Sequence, residues 1–561
     1  MGVHLRGYIV WLTALGLALA APVCLAQTVP GPADAGRVEQ RVPDMTPPPA
    51  LEAPASPMHI LPSATAPEAS KGVKLTLREV RISGMNAFTT SEVEDIYKPL
   101  IGQTITLDKA WQIAGELMER YRSAGYFLSQ VFVPAQEVEN GIISITVVEG
   151  YIGEIALDDP LQERHVVRGW LERLKSYRPL KTDQLEAVLL QLNDLPGVSL
   201  RAVLEPIKGA KDGAVKLTLA PQETHGRGRV GFDNNGSRFL GPYEMSAQYE
   251  ASVLPLQQTS VTVLAGLPVS RLRYGNIHQE IALLPALNME IYGGNTYANP
   301  GYTLKSSEIE SDSMLLGVGF NYKLIRQRQE NLTARIALES RDTDSDILGT
   351  PLTRDKTRVA RARLTYGVAD GWNGNNLLTT TLSQGIDGLG ASKAGQLNLS
   401  RAKATPDFSK AEWQLARLQA ITSDWNAMLA TSGQIASGAL YSSEEFSYGG
   451  QPFGRAYDDS EITGDRGIAA SAELRYMGIP PWKGVALAPY GFYDIGKVWN
   501  YDTGQPAHAS GSSAGAGVRI DSTYGISSNL AVAFPLTRDV TNPLQGNGKN
   551  PRYMMQLSYG F

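Results

Sequence analysis

Residue types that do covalent or metal chemistry are thinly spread along this chain. Its six histidines (His4, His59, His165, His225, His278, His508) are scattered, with neither the short spacing that places two imidazoles on one metal nor the partners of a nucleophilic triad. The one cysteine, Cys24, lies near the amino terminus in a segment with the pattern of a cleaved leader, so the rest of the chain has no thiol nucleophile, zinc-thiolate site or disulfide. The acidic run Asp458, Asp459, Glu461 and Asp465 does not follow calcium-loop spacing and reads as a solvated loop face. No GxGxxG follows a strand, and Gly546-Asn547-Gly548-Lys549 lacks the P-loop spacing and its hydroxyl residue. The expectation is a non-enzyme with no catalytic residues, no metal and no cofactor. A formal charge of -5 gives no basic footprint for nucleic acid. Two charged motifs remain, Gln451-Pro452-Phe453-Gly454-Arg455-Ala456-Tyr457-Asp458 and Phe492-Tyr493-Asp494-Ile495-Gly496. Taken alone, the second is a weak signal, and Arg455 reads as one more exposed loop charge.

The elements around these motifs read as strands. At the carboxyl end Tyr553, Met555, Leu557, Tyr559 and Phe561 alternate with Arg552, Gln556, Ser558 and Gly560, the period of two of a β-strand. Such a face belongs against lipid in a closed barrel or on the edge of a soluble sandwich; this segment alone leaves both open. Tyr243 to Leu254 alternates in the same way, with Glu244 and Glu250 on the polar side, which calls for a wet lumen rather than a packed core. Residues 470–476 repeat the theme. From 226 to 561 no helical period persists, and at roughly 20 residues per strand and connection this length predicts an all-β transmembrane barrel of about 16 antiparallel strands. A barrel of that size stays open unless something plugs it.

Upstream, Arg6, the apolar run Tyr8 to Leu19 and the small-residue end Cys24-Leu25-Ala26 predict a signal peptide over 1–26. Residues 27–71 form a Pro-rich linker, with Pro47-Pro48-Pro49 at its middle. Within it 33–42 lacks proline and reads either as a short helix or as frayed linker. Residues 73 to about 222 hold a repeat: Pro134 falls on Pro206 and Gly141 on Gly213, an offset of 72 that also aligns Val131 with Val203 and Val147 with Leu219. Each copy reads strand, helix, helix, strand, strand. In the first, Val73 to Ile82 is predicted as one strand, Thr89 and Glu92 as a capping box, and Glu139-Asn140-Gly141 as a hairpin turn. Trp111, Tyr121 and Trp170 sit at core positions of the predicted helices. The domains so drawn are 72–149, 150–222 and 226–561.

This organisation resembles the outer-membrane transporters of two-partner secretion, the filamentous-haemagglutinin and haemolysin exporter family. The resemblance implies that the repeats are POTRA 1 and POTRA 2, periplasmic α+β domains, that the barrel has sixteen strands, that helix 33–42 sits in the pore, and that a long sixth extracellular loop, about 444–467, folds back inside. The tip of that loop carries the family motif, matched by Gly454, Arg455, Ala456 and Tyr457; Ala456 stands where the family usually has glycine, so a positive φ there is disfavoured. Phe492, Asp494 and Gly496 match the inner-wall motif, and the resemblance implies that Arg455 pairs with Asp494. A charge-assisted pair suits a loop that has little apolar burial to hold it in a watery bore. Tyr559 and Phe561 match the barrel-assembly signal.

The implied function is export, without ATP, of one large adhesin- or haemolysin-like exoprotein bearing an N-terminal secretion domain, across the outer membrane of a Gram-negative cell. POTRA edges would bind the client by strand addition. The further partners implied are outer-membrane lipid and, during biogenesis, the barrel assembly machinery. Two rival functions compete with export: an outer-membrane assembly factor, or insertase, and a passive porin.

Overall fold

The computed structural model describes residues 29–41 and 65–561, apart from 139, 158–160, 162–163, 208, 210–212, 223–225, 503–504 and 545. The predicted signal peptide and most of the linker lie outside the described residues.

In the first repeat the expected single strand is two, Lys74–Thr76 and Glu79–Ser83. The break has a cause: Leu77 turns inward and is fully buried, its N–H donates to the Gln103 carbonyl and its own carbonyl accepts from Gly102 N. The two pieces therefore take different partners, Thr104–Thr106 for the first and the parallel strand Ile142–Val148 for the second. Gln130–Phe132 completes the sheet on the other side of Ile142–Val148. Helix Thr90–Tyr97 begins at a capping box, with Thr89 N donating to Glu92 Oε2 at 2.7 Å, and lies with helix Lys109–Ser123 over a core of Val93, Leu117, Tyr121, Ile143 and Ile145. Trp111 is only partly buried at its margin.

The second repeat keeps the order: Tyr151–Ala156, helices His165–Ser176 and Thr182–Asn193, then Leu200–Pro206 and Ala214–Pro221. Trp170, Leu171, Leu192 and Leu217 form its core, which also takes in Leu256 and Ala282 from the barrel's end, so this repeat is seated on the barrel. Ionic contacts reinforce the seat. Asp194 accepts from Arg326 Nε at 2.6 Å and lies 3.3 Å from Lys323 Nζ, while Arg328 lies 3.1 Å from Glu186.

Sixteen antiparallel strands, from Arg227–Asp233 to Arg552–Gly560, close into a barrel as the last pairs with the first. Strand Ile309–Arg326 shows why: Met314, Leu316, Val318, Phe320 and Tyr322 lie exposed on the outer face, while Ser311 and Ser313 are buried on the inner one. An outer apolar band of about ten residues matches the hydrocarbon thickness a tilted strand must cross. Tyr553, Met555, Leu557, Tyr559 and Phe561 are exposed likewise, so the lipid-facing alternative holds and the sandwich edge does not. Among the described residues no helix is long and apolar enough to cross a membrane, which says nothing of strands. The strand expected over Tyr243 to Leu254 ends at Ala251, because the Ser252 hydroxyl donates to the Leu254 and Gln257 carbonyls and closes a turn there.

Two pieces of chain lie inside. Residues Gly31–Ala33 and Ala35–Arg37 form 3-10 turns leading into the helical turn Val38–Arg41, and Ala33, Ala35 and Val38 pack on Phe239, Leu240, Leu272 and Tyr274. The connection between strands Trp425–Ala436 and Arg466–Tyr476 folds inward as a hairpin, Phe446–Tyr448 with Ile462–Gly464.

Candidate functional site in the barrel lumen

Three adjacent strands, Arg466–Tyr476, Val485–Trp499 and His508–Ser522, build the inner wall that faces the loop tip. Their register sets Ser471, Asp494 and Ser513 in one row, and Glu473 and Phe492 in the next. Because side chains alternate along a strand, Phe492, Asp494 and Gly496 all point into the bore.

Arg455 meets this wall with its whole guanidinium. Nε and Nη2 donate to the two oxygens of Asp494 at 3.0 and 2.7 Å, Nη1 donates to Glu473 Oε2 at 2.7 Å, and the ring of Phe492 lies 3.5 Å beneath the guanidinium carbon. The backbone N–H groups of Gly454 and Arg455 also donate to Asp494 Oδ2, at 3.3 and 3.1 Å, and Ser471 and Ser513 hydroxyls complete its shell. Asp494 is fully buried and Arg455 is 6% exposed. A bidentate charge pair so enclosed is both directional and strong. Glu473 is in turn shared with Arg475 and with Arg519, the latter at 2.9 Å.

The glycines have separate reasons. Gly454, directly before Arg455, has a positive φ of +95°, whereas Ala456 is not among the residues with positive φ. Alanine at 456 is thus compatible with this loop geometry. Gly496 has no room for a side chain, since a Cβ there would lie 2.1 Å from the Tyr448 ring. Tyr457 is anchored too, its hydroxyl donating to the Ser512 carbonyl at 2.9 Å.

The acidic run read as a solvated face is corrected at two positions. Asp465 is fully buried and Asp458 is 2% exposed. Asp465 accepts from Arg401 Nη2 at 3.1 Å, Leu440 N at 2.7 Å and Tyr501 N at 2.7 Å. Residues the sequence reading missed extend this network: Arg401 also lies 2.9 Å from Glu445, and Glu445 accepts from Arg37 of the N-terminal segment. Beside it Glu444 binds Arg361 at 2.7 Å and Lys410 at 3.0 Å. On the other side of the segment, Glu39 accepts from Arg341 at 2.6 Å. No local pattern announces partners this far apart in sequence. The only available signal was that strand positions such as Arg341 and Arg361 have the inward parity. Tyr559 and Phe561 lie on the outer face of the last strand, their rings stacked 5.8 Å apart. Among the described residues there is no cluster of metal-ligating side chains.

A periplasmic arm of POTRA-like repeats seated on a sixteen-strand barrel, with a loop pinned by an arginine to the inner wall, defines an outer-membrane barrel protein with a POTRA arm. Residues 292–519, which include both motifs, match the family model for haemolysin secretion/activation protein ShlB/FhaC/HecB, and 75–150 match the ShlB-type POTRA domain. The chain belongs to this family of two-partner secretion transporters, whose partner is a secreted exoprotein. It is 24% identical over 493 residues to the heme/hemopexin transporter protein HuxB of Haemophilus influenzae, covering 84% of this chain and 85% of HuxB. It is 22% identical over 494 residues to the outer membrane transporter CdiB of Dickeya dadantii, covering 84% and 85%. Its fold matches that of CdiB from Escherichia coli with a TM-score of 0.66 at 18% identity, covering 90% of this chain and 94% of that one. BamA from Haemophilus ducreyi lacking POTRA domains 1–3 gives a TM-score of 0.53 at 11% identity, covering 87% and 100%. The barrel fold is therefore common to transporters and to BamA, and the family match is what separates them.

Proposed function

We propose that this chain captures one large adhesin- or haemolysin-like exoprotein in the periplasm of a Gram-negative cell and passes it, without nucleotide, through its barrel. The observation that carries the reading is the nature of what fills the bore. Segment 29–41 and the loop 444–467 each rest on a small apolar cluster but are also tied to the wall and to each other by buried charged side chains, and the charged contacts can be exchanged for water when a piece leaves. The Pro-rich linker following Arg41 gives the segment the reach to withdraw. In this proposal Arg455 and Asp494 hold the loop at rest, and Arg37 with Glu445 couples the segment to the loop. Directionality comes from the client folding outside, and the lipid-facing Tyr559 and Phe561 serve recognition by the barrel assembly machinery.

Client capture follows from the sheet edges. In the first repeat the edge strand Gln130–Phe132 is three residues long, Pro134 follows it, and Gln136 uses its amide on both N and O of Ser144. That edge is blunted. In the second repeat Leu200–Pro206 is a seven-residue edge with Arg201, Val203 and Glu205 exposed, a better template for strand addition. The decisive experiment expresses the chain with its exoprotein and measures the exoprotein in the medium. Loss of secretion on deleting this chain, with other outer-membrane proteins at normal abundance, is expected; general loss of those proteins would instead make it an assembly factor.

A further inference from the structure

We propose that Arg552 latches the barrel seam to the inward-folded loop, so that closure of the outer half of the seam depends on where the loop sits. The seam joins the first strand, Arg227–Asp233, to the last, Arg552–Gly560. Its ladder runs over five residue pairs, from Arg229 with Gly560 to Asp233 with Gln556, against eight between the last strand and Ile526–Pro535 and seven between the first strand and Tyr243–Ala251. At the periplasmic end the seam continues through backbone alone: Gly228 N donates to Phe561 O at 2.9 Å and Phe561 N returns to Gly228 O at 3.0 Å.

At the outer end side chains take over. Asn234 imitates a strand residue, its N–H donating to Met555 O at 3.2 Å, its Oδ1 accepting from Met555 N at 2.7 Å and its Nδ2 donating to Tyr553 O at 2.9 Å. The next rung is Arg552. Its Nη2 donates to the carbonyls of Asn235 at 2.7 Å and Gly236 at 3.4 Å across the seam, while Nη1 donates to Tyr457 O at 2.5 Å and lies 3.0 Å from Asp458 Oδ1 in the loop tip. One rigid fork of donors thus serves both the seam and the loop. The N-terminal segment reaches the same place, since Ser237 Oγ donates to the Pro32 carbonyl at 2.9 Å.

The coupling is physical. The side chain of Arg552 is 9% exposed, and Asp458 supplies the opposite charge that makes its burial tolerable. When the loop tip leaves, the guanidinium loses that carboxylate and the Tyr457 carbonyl together, and it gains by turning to water. The carbonyls of Asn235 and Gly236 then lose their donor, and the outer seam is left with Asn234 alone.

Hydrogen–deuterium exchange on the full chain in lipid nanodiscs tests this, read at the amides of Asn234 and Met555 with Tyr559 as the periplasmic-half control. Arg552→Ala is expected to speed exchange at the outer pair by roughly tenfold, with Arg552→Lys in between and Tyr559 unchanged. The discriminating arm is Arg455→Ala, which frees the loop from strands Arg466–Tyr476 and Val485–Trp499 and touches neither strand of the seam. It should raise exchange at Asn234 and Met555 as well, and the double variant should add little to the larger single effect. If Arg455→Ala speeds exchange at Tyr457 but leaves Asn234 and Met555 at the wild-type rate, the latch does not exist. Should Arg552→Ala fail to assemble, that arm decides the matter with Arg552 intact.

Discussion

The periplasmic repeats and the interior of the barrel are held together by opposite means. Each repeat closes over Val, Leu, Ile and aromatic side chains with almost no charge among them. The bore holds Arg37, Arg401, Arg455, Glu445, Asp465 and Asp494, all nearly or fully buried, and its apolar clusters are smaller. Apolar burial has no substitute in water, so it makes units that stay folded. A charged contact has a substitute, hydration, so it can hold a part in place and still let it go. The difference sets an arm held by apolar cores against a bore whose contents are held in part by contacts that water can replace.

Four experiments break or sharpen that contrast. The largest effect is expected from Arg455→Ala, which strands Asp494 and Glu473: with breaking a buried pair costing about 3–5 kcal/mol, loop anchoring is lost, and secretion should fall more than roughly tenfold. The barrel should still insert and show heat-modifiable migration on a gel. Unimpaired secretion by this variant would refute the anchoring role.

Next comes Leu117→Ala in the first repeat, a cavity in a fully apolar core worth about 2–5 kcal/mol. Limited proteolysis should cut the arm while the barrel stays intact. An arm as resistant as wild type would show that its core is not what holds it.

Arg37→Ala should act in the bore and spare the arm. The N-terminal segment loses its tie to Glu445, and planar-bilayer recordings should show a pore that opens severalfold more often. Unchanged openings would mean that Glu39 with Arg341, Ser237 with Pro32 and the packing of Ala33, Ala35 and Val38 suffice to hold the segment.

The smallest effect is a pH dependence at the junction of the two regions. Burial raises the Asp194 carboxyl, but Arg326 and Lys323 outweigh it and hold the group below its ordinary range. A carboxylate lowered on folding stabilises above the unfolded value, near 3.9, and that stabilisation is lost as pH falls through the folded value. The seat of the second repeat should therefore weaken only in acid below about pH 4, read as faster exchange in 323–328. Asp194→Asn should remove the pH dependence; retention of it would assign the effect to another group.

Much of the fold was legible because strands and helices announce themselves by period. The alternation in Tyr243 to Ala251 and in the last strand, the paired stripes in each repeat and the turn at Asn140-Gly141, where both residues have positive φ, are local facts of side-chain direction. The site was legible in part. Arg455 and Asp494 were expected to pair only through family resemblance, while Glu473 gave no sign beyond its inward parity. The buried Asp458 and Asp465 were misread, because an acidic run in a loop looks the same whether it faces solvent or a guanidinium from a distant part of the chain. Val73 to Ile82 was misread as one strand because the inward turn at Leu77 is imposed by Gln103 and Gly102, partners that local propensity does not contain.

The sequence alone determined what depends on neighbours along the chain: a barrel of patterned strands and two copies of one small α+β unit. Tertiary structure decided what depends on closure. Only when sixteen strands complete the cylinder do Arg37 and Glu445, or Arg552 and Asn235, come within reach, and only there does a wet, enclosed bore give these charges fixed partners rather than bulk water.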